Sequence, residues 1–324
     1  MISIIITTFN EVKTIKSLLN SVLGLRGKPE EVVIVDGGST DKTVQIIEEY
    51  KNKFKKRGID LRVYIKKGNR SVGRNEAIRL AKGEIIAITD AGCELDKDWL
   101  KNITQPFKDK TVNVVSGYYS AKTETIFEKC VVPYVLVMPD KIKTSEFLPA
   151  TRSMAIRKKT WKDVGGFPEE YSDNEDYVFA NLLKKRGEKI IFAQNAIVYW
   201  YPRKNLKDFY KMIFRFARGD AKSGLRKIKY MSYFIRYFIF IILGILGGLG
   251  PLRPRPASPR QGGSEASIWV GLGIFIFYLF WAIVKNYKYV NNWQAIVYLP
   301  VLQIVSDIAI MAGIISGMRV TLKR

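Results

Sequence analysis

The sequence predicts an α/β fold with a mostly parallel central sheet, followed by transmembrane helices at its C-terminal end. Residues 1–200 alternate between short apolar, β-branched runs and segments with helical spacing. This alternation is typical of parallel strands joined by right-handed crossovers. Three long apolar segments then lie within residues 233–324. The 324 residues suffice for one sizeable domain and an appendage.

The first strand and helix follow from their apolar spacing. Residues 2–7 form a short β-branched run that predicts a strand. In residues 12–23, Val12, Ile15 and Leu18 fall on one face at helical spacing. The chain therefore opens with a strand and an amphipathic helix.

The later elements repeat this alternation. Residues 32–35 predict the second strand, and Val44, Ile47 and Phe54 share one face of the second helix, which Gly58 ends. This second helix covers 41–57, and the remaining elements are strands over 61–65 and 84–89, separated by a helix over 74–81.

The apolar segments 233–250, 268–284 and 295–317 are each close to the roughly 20 residues that span a bilayer. Buried core helices are the alternative interpretation. Tryptophan and tyrosine residues near the segment ends favour membrane helices, because these rings prefer the bilayer interface. Asp307 lies deep in the third segment and should face protein or water. Arg236 lies near a helix end and can extend to the interface.

Three regions are therefore predicted. They are a domain over 1–203, an amphipathic membrane-surface segment over 204–232, and a transmembrane region over 233–324 with a disordered loop at 251–267. Eleven Lys and Arg against two Asp in residues 201–236 favour a multi-pass cell-membrane protein with its large domain in the cytoplasm. Three arginines in the loop oppose this orientation, but the first span should dominate.

The charge balance restricts the partners and the chemistry. There are 53 Lys and Arg against 30 Asp and Glu, a net charge of +23, which suits nucleic acid, anionic lipid or phosphorylated substrates. No nucleic-acid motif appears, and basic residues cluster before the first apolar segment, so lipid phosphate is favoured and no nucleic acid is expected. The chain contains no histidine, so any general base or metal ligand must be another residue type.

The stretch "VVIVDGGSTDKT" places Asp36 at the end of a predicted strand. Open α/β sheets bind ligands at the carboxyl ends of their strands. A strand-end carboxylate can accept a hydrogen bond from a base, such as the N3–H of uracil. The alternative is that Asp36 caps the next helix, although Ser39, Thr40 and Asp41 are better placed for capping.

"SIIITTFNE" and "VVIVDGGSTDKT" resemble the opening of family 2 glycosyltransferases, which have the GT-A nucleotide-sugar fold. "GRNEAIRLAKGEIIAITDAG", "FLPATRSMAIRKKTWKDVGGFPE", "NEDYVF" and "FRFARGD" follow in the order of the family, over about residues 1–225. The resemblance implies a membrane-bound inverting enzyme. It would move a sugar from a nucleotide diphospho-sugar, with UDP favoured, to a lipid or lipid-linked glycan acceptor.

The resemblance also implies the donor site. Asp36 would contact the base, with Thr7, Phe9 and Glu11 in the same pocket. Arginines are the implied contacts to the base, the phosphates or the acceptor. They are Arg74, Arg152 and Arg218. For Arg74 the alternative is a solvated residue at a helix start.

"ITDAGCELD" is similar to the Asp-x-Asp pattern that holds Mg²⁺ or Mn²⁺ on the donor diphosphate in the family. Asp90 occupies the first position, whereas the second is Gly92, and Glu94 is a possible substitute. One carboxylate with two phosphates can still hold a hydrated Mg²⁺. Partial metal dependence through Asp90 is therefore expected.

"YSDNEDYVF" carries the candidates for a general base, which takes the proton of the acceptor hydroxyl. They are Asp173, Glu175 and Asp176. The Asp of the family's Glu-Asp motif implies Asp176, whose pKa the adjacent Glu175 should raise. The alternative is that these acidic residues lie at a helix N-terminus and only interact favourably with the helix dipole. A non-catalytic nucleotide-sugar-binding protein and a nucleotidyltransferase on a similar fold are the other functions considered.

Overall fold

The computed structural model describes residues 1–225, 227–248 and 263–321. The chain divides into two compact units. The first contains Met1–Thr123 and Leu136–Pro202, and the second contains Glu124–Val135 and Arg203–Arg324. A short internal segment thus belongs with the C-terminal part of the chain, which the sequence pattern did not predict.

The first unit contains one eight-stranded sheet. Its strands are β1 (Ile2–Thr8), β2 (Glu31–Asp36), β3 (Asp60–Ile65), β4 (Ile85–Asp90), β5 (Cys93–Leu95), β6 (Val114–Ala121), β7 (Met154–Arg157) and β8 (Ile190–Trp200). The strand order is β3-β2-β1-β4-β7-β6-β8-β5. The first four strands are parallel, as predicted, whereas β7 is antiparallel to both of its neighbours.

The helices of the first unit connect these strands. They are α1 (Ile15–Leu23), α2 (Thr43–Lys56), α3 (Arg70–Leu80), α4 (Trp99–Thr104), α6 (Lys158–Val164) and α7 (Glu175–Lys185), while α5 (Ile126–Val135) belongs to the second unit. Short 3₁₀ turns occupy Gln105–Lys108, Pro139–Lys141 and Thr144–Glu146. Helix α3 starts four residues before the prediction, because Asn69 caps it by accepting a hydrogen bond from the Val72 N–H at 3.1 Å.

The strand register brings the candidate residues to one edge of the sheet. Thr8 pairs with Asp36 across β1 and β2, and Thr7 pairs with Asp90 across β1 and β4. Because these strands are parallel, all four residues lie at carboxyl ends. Under this edge, β-strand side chains pack with α3 and α7 in a buried core that includes Val35, Ile78, Ile88, Phe167 and Phe179.

The second unit is helical. Its long helices are α8 (Leu206–Ser223), α9 (Lys227–Gly248), α10 (Gly263–Tyr287) and α11 (Ala295–Thr321). Helix α5 packs on α11: the Tyr134 hydroxyl donates to the Leu299 carbonyl at 2.8 Å, and the rings of Phe127 and Tyr298 meet edge to face at 5.6 Å. The internal segment therefore has its partners far along the chain.

Helix α8 is amphipathic, as predicted, but its apolar face is covered. A Cβ added at Gly313 of α11 would lie 2.5 Å from the Phe214 carbonyl oxygen and 2.9 Å from the Ala217 Cβ. At Gly317 the Cβ would lie 2.8 Å from the Ala221 Cβ. The missing side chains let the two backbones approach closely. The apolar face of α8 thus packs on α11, where the sequence led us to expect lipid.

One helix of the described residues, Ala295–Arg319, is long and apolar enough to cross a membrane. Two shorter apolar helices are Met231–Ile242 and Gly271–Tyr287. The three predicted spans therefore stay a prediction. Of the predicted loop, 251–262 lies outside the described residues, and 263–267 belongs to α10.

Asp307 faces protein, as predicted, and is fully buried. It accepts hydrogen bonds from Tyr237 at 3.0 Å, from Gln303 at 3.0 Å and from Tyr278. The Arg236 Nη1 lies 3.6 Å from the Asp307 carboxylate and 2.6 Å from the Tyr278 hydroxyl. Arg236 thus turns inward to a charge partner and does not extend to an interface.

Candidate active site

Asp36 closes β2 and is fully buried. Its Oδ1 accepts from the N–H groups of Gly38 and Ser39 at 2.9 and 2.6 Å, and its Oδ2 accepts from the hydroxyls of Thr8 and Ser39 at 2.8 and 2.6 Å. A carboxylate offers about four acceptor positions, so none remains for a uracil N–H. The expected contact between Asp36 and the base stays a prediction, and it requires a base N–H to replace one of these four donors. Asp36 fixes the turn that follows β2.

The loop after β1 is fastened to this turn. Asn10 has a left-handed backbone with φ 55°, its N–H donates to the Ser39 hydroxyl at 2.8 Å, and its side-chain oxygen accepts from the Thr40 N–H at 2.9 Å. The Glu11 carboxylate accepts from the Thr14 hydroxyl at 2.6 Å, just before α1. The sequence pattern placed Glu11 in the donor pocket, but its carboxylate has this local partner.

Phe9 and Thr7 of the predicted pocket keep free surface. Phe9 is 59% exposed and lies beside Gly37, where an added Cβ would be 3.5 Å from the ring. Thr7 is half-buried, and its methyl group lies 3.0 Å from a Cβ added at Gly73. The exposed Phe9 ring can therefore stack against a flat ligand.

Arg74 joins two carboxylates inside the unit. It is 2% exposed, its Nη2 lies 2.9 Å from Asp90 Oδ1, and its Nη1 lies 2.5 Å from Glu175 Oε1. The guanidinium also lies 5.6 Å from the centre of the Phe167 ring. The predicted contact of Arg74 with a base or a phosphate stays a prediction, while both of its terminal nitrogens contact carboxylates of the chain.

These ion pairs set the charge states. Burial disfavours the charged form of Asp90, but the charges of Arg74, Arg152 and Arg70 outweigh burial and hold its pKa below the usual value. Burial raises the pKa of Glu175; Arg74 opposes this shift and the neighbouring Asp176 adds to it. Asp90 is therefore the firmly ionised member of the pair, as a ligand for a cation requires.

Two further arginines lie close enough to Asp90 to act on its charge. Arg152 is held by aromatic rings, with its guanidinium 5.5 Å from the centre of Tyr119 and 5.3 Å from that of Trp200. Arg70 is exposed at the start of α3 and also acts on Glu175. Sequence reasoning missed Arg70. The signal was available, because the first residue of a helix points toward the strand ends that it follows.

Asp176 is the second residue of α7 and is only partly buried. Its Oδ1 accepts from the Tyr177 N–H at 2.8 Å, and within the described part of the chain its Oδ2 accepts no hydrogen bond. Glu175 is buried against Arg74, and Asp173 is 5% exposed. Of the three predicted base candidates, Asp176 thus has the most accessible carboxylate.

The loop before α7 is held by Asn75. Its amide nitrogen donates to the Phe167 carbonyl at 2.8 Å, and its amide oxygen accepts from the Phe167 N–H at 2.8 Å. Gly166 has φ 81°, and a Cβ there would meet the Asn75 oxygen at 2.9 Å. Asn75 and this glycine therefore fix the path that leads to Asp176.

Few side chains at the candidate site could bind a metal ion. Among the described residues, no group of three acidic or cysteine side chains could hold an ion. Glu94 is engaged by Lys122 at 2.7 Å and by Tyr201, so it does not substitute for the carboxylate missing at Gly92. Asp90 keeps Oδ2 available, because Arg74 occupies only Oδ1. These residues fit a metal held by one carboxylate and otherwise by the donor phosphates.

Arg218 lies on α8 in the second unit. Its guanidinium lies 6.0 Å from the centre of the Phe214 ring. Its predicted role toward a diphosphate stays a prediction.

Comparisons with known proteins concern the domain that carries most of these residues. Residues 3–158 match the family model described as "Glycosyl transferase family 2". A family 2 glycosyltransferase domain thus matches just under half of the chain. The matched range includes Asp36, Arg74, Asp90 and Arg152. Asp176 lies after the end of this range.

Curated relatives of this chain are named as enzymes of glycan synthesis. A poly-β-1,6-N-acetyl-D-glucosamine synthase of Staphylococcus epidermidis is 25% identical over 251 residues, 73% of this chain and 60% of the relative. The poly(ribitol-phosphate) β-N-acetylglucosaminyltransferase TarS of Staphylococcus aureus is 28% identical, over 62% of this chain and 35% of the relative. The chain thus spans only part of the length of both.

A third relative, from Methanococcus voltae, is named as a transferase that acts on dolichyl N-acetyl-α-D-glucosaminyl phosphate. It is 27% identical over 68% of this chain and 72% of its own length.

Solved structures confirm the predicted GT-A fold. The mannosyltransferase PcManGT of Pyrobaculum calidifontis, in complex with GDP-Man and Mn²⁺, superposes with a TM-score of 0.65 at 18% identity, over 96% of this chain and 86% of that one. A fragment of S. aureus TarS in complex with UDP-GlcNAc gives 0.50 at 20% identity, over 98% and 91%.

Proposed function

We propose that this glycosyltransferase moves a sugar from a nucleotide diphospho-sugar to a lipid or lipid-linked glycan, with inversion at the anomeric carbon. One observation carries this proposal. The partly exposed carboxylate of Asp176 lies at the start of α7, and its neighbour Glu175 is joined through Arg74 to Asp90 at the carboxyl end of β4. A candidate base and a candidate donor carboxylate thus belong to one connected group.

The donor would be bound at the strand ends. Phe9 offers an exposed ring for stacking a base, and Arg70 and Arg152 offer positive charge beside Asp90 for the diphosphate. We favour UDP, as the resemblance implies, and the TarS complex contains UDP-GlcNAc. The PcManGT complex contains GDP-Man, so guanine is the rival base.

Asp90 would hold Mg²⁺ or Mn²⁺ through Oδ2, and such an ion would neutralise charge on the departing diphosphate. Arg70 and Arg152 would help to neutralise the same charge. Because only one carboxylate is available, we expect activity to depend on metal in part.

Asp176 would act as the general base. The acceptor hydroxyl oxygen attacks the anomeric carbon as the bond to the diphosphate breaks, and Asp176 Oδ2 takes the hydroxyl proton. The sugar is transferred in one displacement, so the configuration at the anomeric carbon inverts. The nucleoside diphosphate leaves with the bonding electron pair.

The second unit supports the proposed acceptor and location. The apolar helix Ala295–Arg319 could anchor the chain, and three spans with a cytoplasmic first unit remain our proposal for its topology. An anchored enzyme acts on acceptors at the bilayer surface. The M. voltae relative, named for a dolichyl-phosphate-linked acceptor, supports this substrate class.

A thermal-shift panel on the full chain in detergent tests the donor. We expect UDP to stabilise more than GDP, CDP or dTDP, with part of the shift lost in EDTA. A ligand at 100 times its Kd contributes about 2.7 kcal/mol. A larger shift with GDP would exclude uracil.

Transfer is then measured with the matching nucleotide-sugars as release of nucleoside diphosphate. Release of pyrophosphate would indicate a nucleotidyltransferase instead. Binding of the donor with no release in the presence of lipid-linked acceptors would favour a non-catalytic binding protein.

A further inference from the structure

Arg74 is the most deeply buried of the arginines at the candidate site. Its side chain is 2% exposed, and its two carboxylate partners stand 16 and 101 residues away in sequence. Its Nε is also buried and has no hydrogen-bond partner in the described part of the chain. The side chain is therefore closed off from a ligand, and its contacts are with Asp90 and Glu175.

Stability alone does not explain this arrangement. Taking a guanidinium and a carboxylate out of water costs several kcal/mol each, and well-packed apolar residues of similar volume are often at least as stabilising. The orphaned Nε adds a further cost. What the ion pairs supply is geometry, because a planar guanidinium holds its two partners in fixed directions.

The start of α7 depends on that geometry. Asn174 stands at the cap position with a left-handed backbone, φ 59°, and its side chain makes no capping hydrogen bond. Glu175 is the first helical residue, and its carboxylate is held by Arg74 at 2.5 Å. The ion pair thus fixes the first turn of α7 from its side, and Asp176 is the next residue in that turn.

We propose that Arg74 is a positioning residue that ties Asp90 of the donor site to the first turn of α7 and so sets where Asp176 meets the acceptor. Glu175 is then a second positioning residue and not an alternative base. This inference rests on the proposed function, because it assigns the roles of Asp90 and Asp176.

A double-mutant cycle on the full chain tests the proposal. Arg74→Lys keeps the charge but loses the fork that reaches both carboxylates. We expect it to lower kcat by about 10- to 100-fold, as misplacement of a base does, with donor KM within about 3-fold. In the Asp176→Asn background the same change should cost less than about 3-fold, because the base it positions is gone.

Arg79→Lys is the matched control. Arg79 lies on the same helix, is 59% exposed and pairs with Glu76, so its replacement should alter neither constant. Glu175→Gln is the second variant, and it should reproduce the loss of kcat while it preserves the side-chain shape.

Three results would overturn the proposal. An equal loss of kcat in both backgrounds would show that Arg74 acts on the fold and not through Asp176. A large rise in donor KM would make Arg74 a donor ligand. Full activity of Glu175→Gln would show that the ion pair between Arg74 and Glu175 does not position Asp176.

A readout without activity separates this proposal from the proposed function. The Val178 N–H donates to the Asn174 carbonyl at 3.0 Å and reports the first turn of α7. Its hydrogen exchange should accelerate by at least roughly 10-fold in Arg74→Lys but not in Arg79→Lys. Unchanged exchange would refute the positioning role. A wild-type chain that transfers no sugar, with accelerated exchange in the variant, would refute only the function.

Discussion

Replacing Gly313 by Ala tests whether α8 is covered by α11. The added Cβ would lie 2.5 Å from the Phe214 carbonyl oxygen, 2.9 Å from the Ala217 Cβ and 3.1 Å from the Arg218 nitrogen. Two of these atoms belong to the backbone of α8 and cannot rotate away. Since ordinary contact begins at 3.4 Å, the helices must separate locally by up to about 0.9 Å.

Gly273 on α10 provides the matched control, because an added Cβ there meets nothing within 4 Å. Both substitutions gain helix propensity, about 1 kcal/mol for Gly to Ala. Only Gly313→Ala also forces packed helices apart, which costs about 1–3 kcal/mol. We therefore expect Gly313→Ala to be less stable than Gly273→Ala by about 1–3 kcal/mol.

The assay is unfolding of the full-length variants in one detergent, with midpoints compared at a common m-value. If Gly313→Ala is as stable as Gly273→Ala, the helices do not pack as described. In that case the apolar face of α8 would be available for lipid, as the sequence led us to expect.

Three further predictions concern the first unit. Asp176→Asn should slow transfer by ~10²–10⁴-fold while nucleotide binding persists. Turnover and thermal shift are measured on the same sample. A nearly normal rate would mean that another carboxylate is the base. A Cβ added at Gly92 would meet nothing within 4 Å, so Gly92→Asp can add a second carboxylate beside Asp90. The half-saturating Mn²⁺ concentration should then fall by on the order of 10-fold. An unchanged Mn²⁺ titration would argue against a metal at Asp90. Burial raises the pKa of Glu31, but hydrogen bonds from Ser3, Lys82 and Arg62 outweigh it and leave the pKa below 4.5. The unfolded state then binds more protons, so the stabilisation by Glu31 is complete above about pH 4.5 and is lost as pH falls through the lower folded-state pKa. The stability difference between wild type and Glu31→Gln should therefore shrink in thermal unfolding from pH 7 to 3, and a constant difference would contradict this.

The sequence predicted the first half of the sheet well because its signals are local. Strands β1 to β4 are β-branched runs, and each was predicted within one residue of its bounds. The later strands are different. Strand β5 has three residues, and β8 mixes exposed and buried positions, so neither shows a clear period. The sequence pattern did not predict helix α5, because the residues that it packs against, such as Tyr298 and Leu299, lie far along the chain.

Residue types at the site were easier to predict than their contacts. Asp36 and Arg74 lie in the stretches that carry the chemistry, yet both turn inward to partners within the chain. A strand-end carboxylate can point to a ligand or to its own turn, and only the folded backbone decides between them. Between Glu175 and Asp176 the decision came from the rotation of α7, which buries one and leaves the other partly exposed.

The placement of α5 has a consequence for synthesis. Tyr134 bonds to Leu299, which follows it by 165 residues. Ribosomes add about 5–20 residues per second, so α5 emerges roughly 8–33 s before this partner exists. During that interval a helix with the apolar residues Cys130 and Val131, both buried in the finished fold, lacks its partner α11. The speed of translation beyond residue 135 therefore sets how long α5 is open to aggregation.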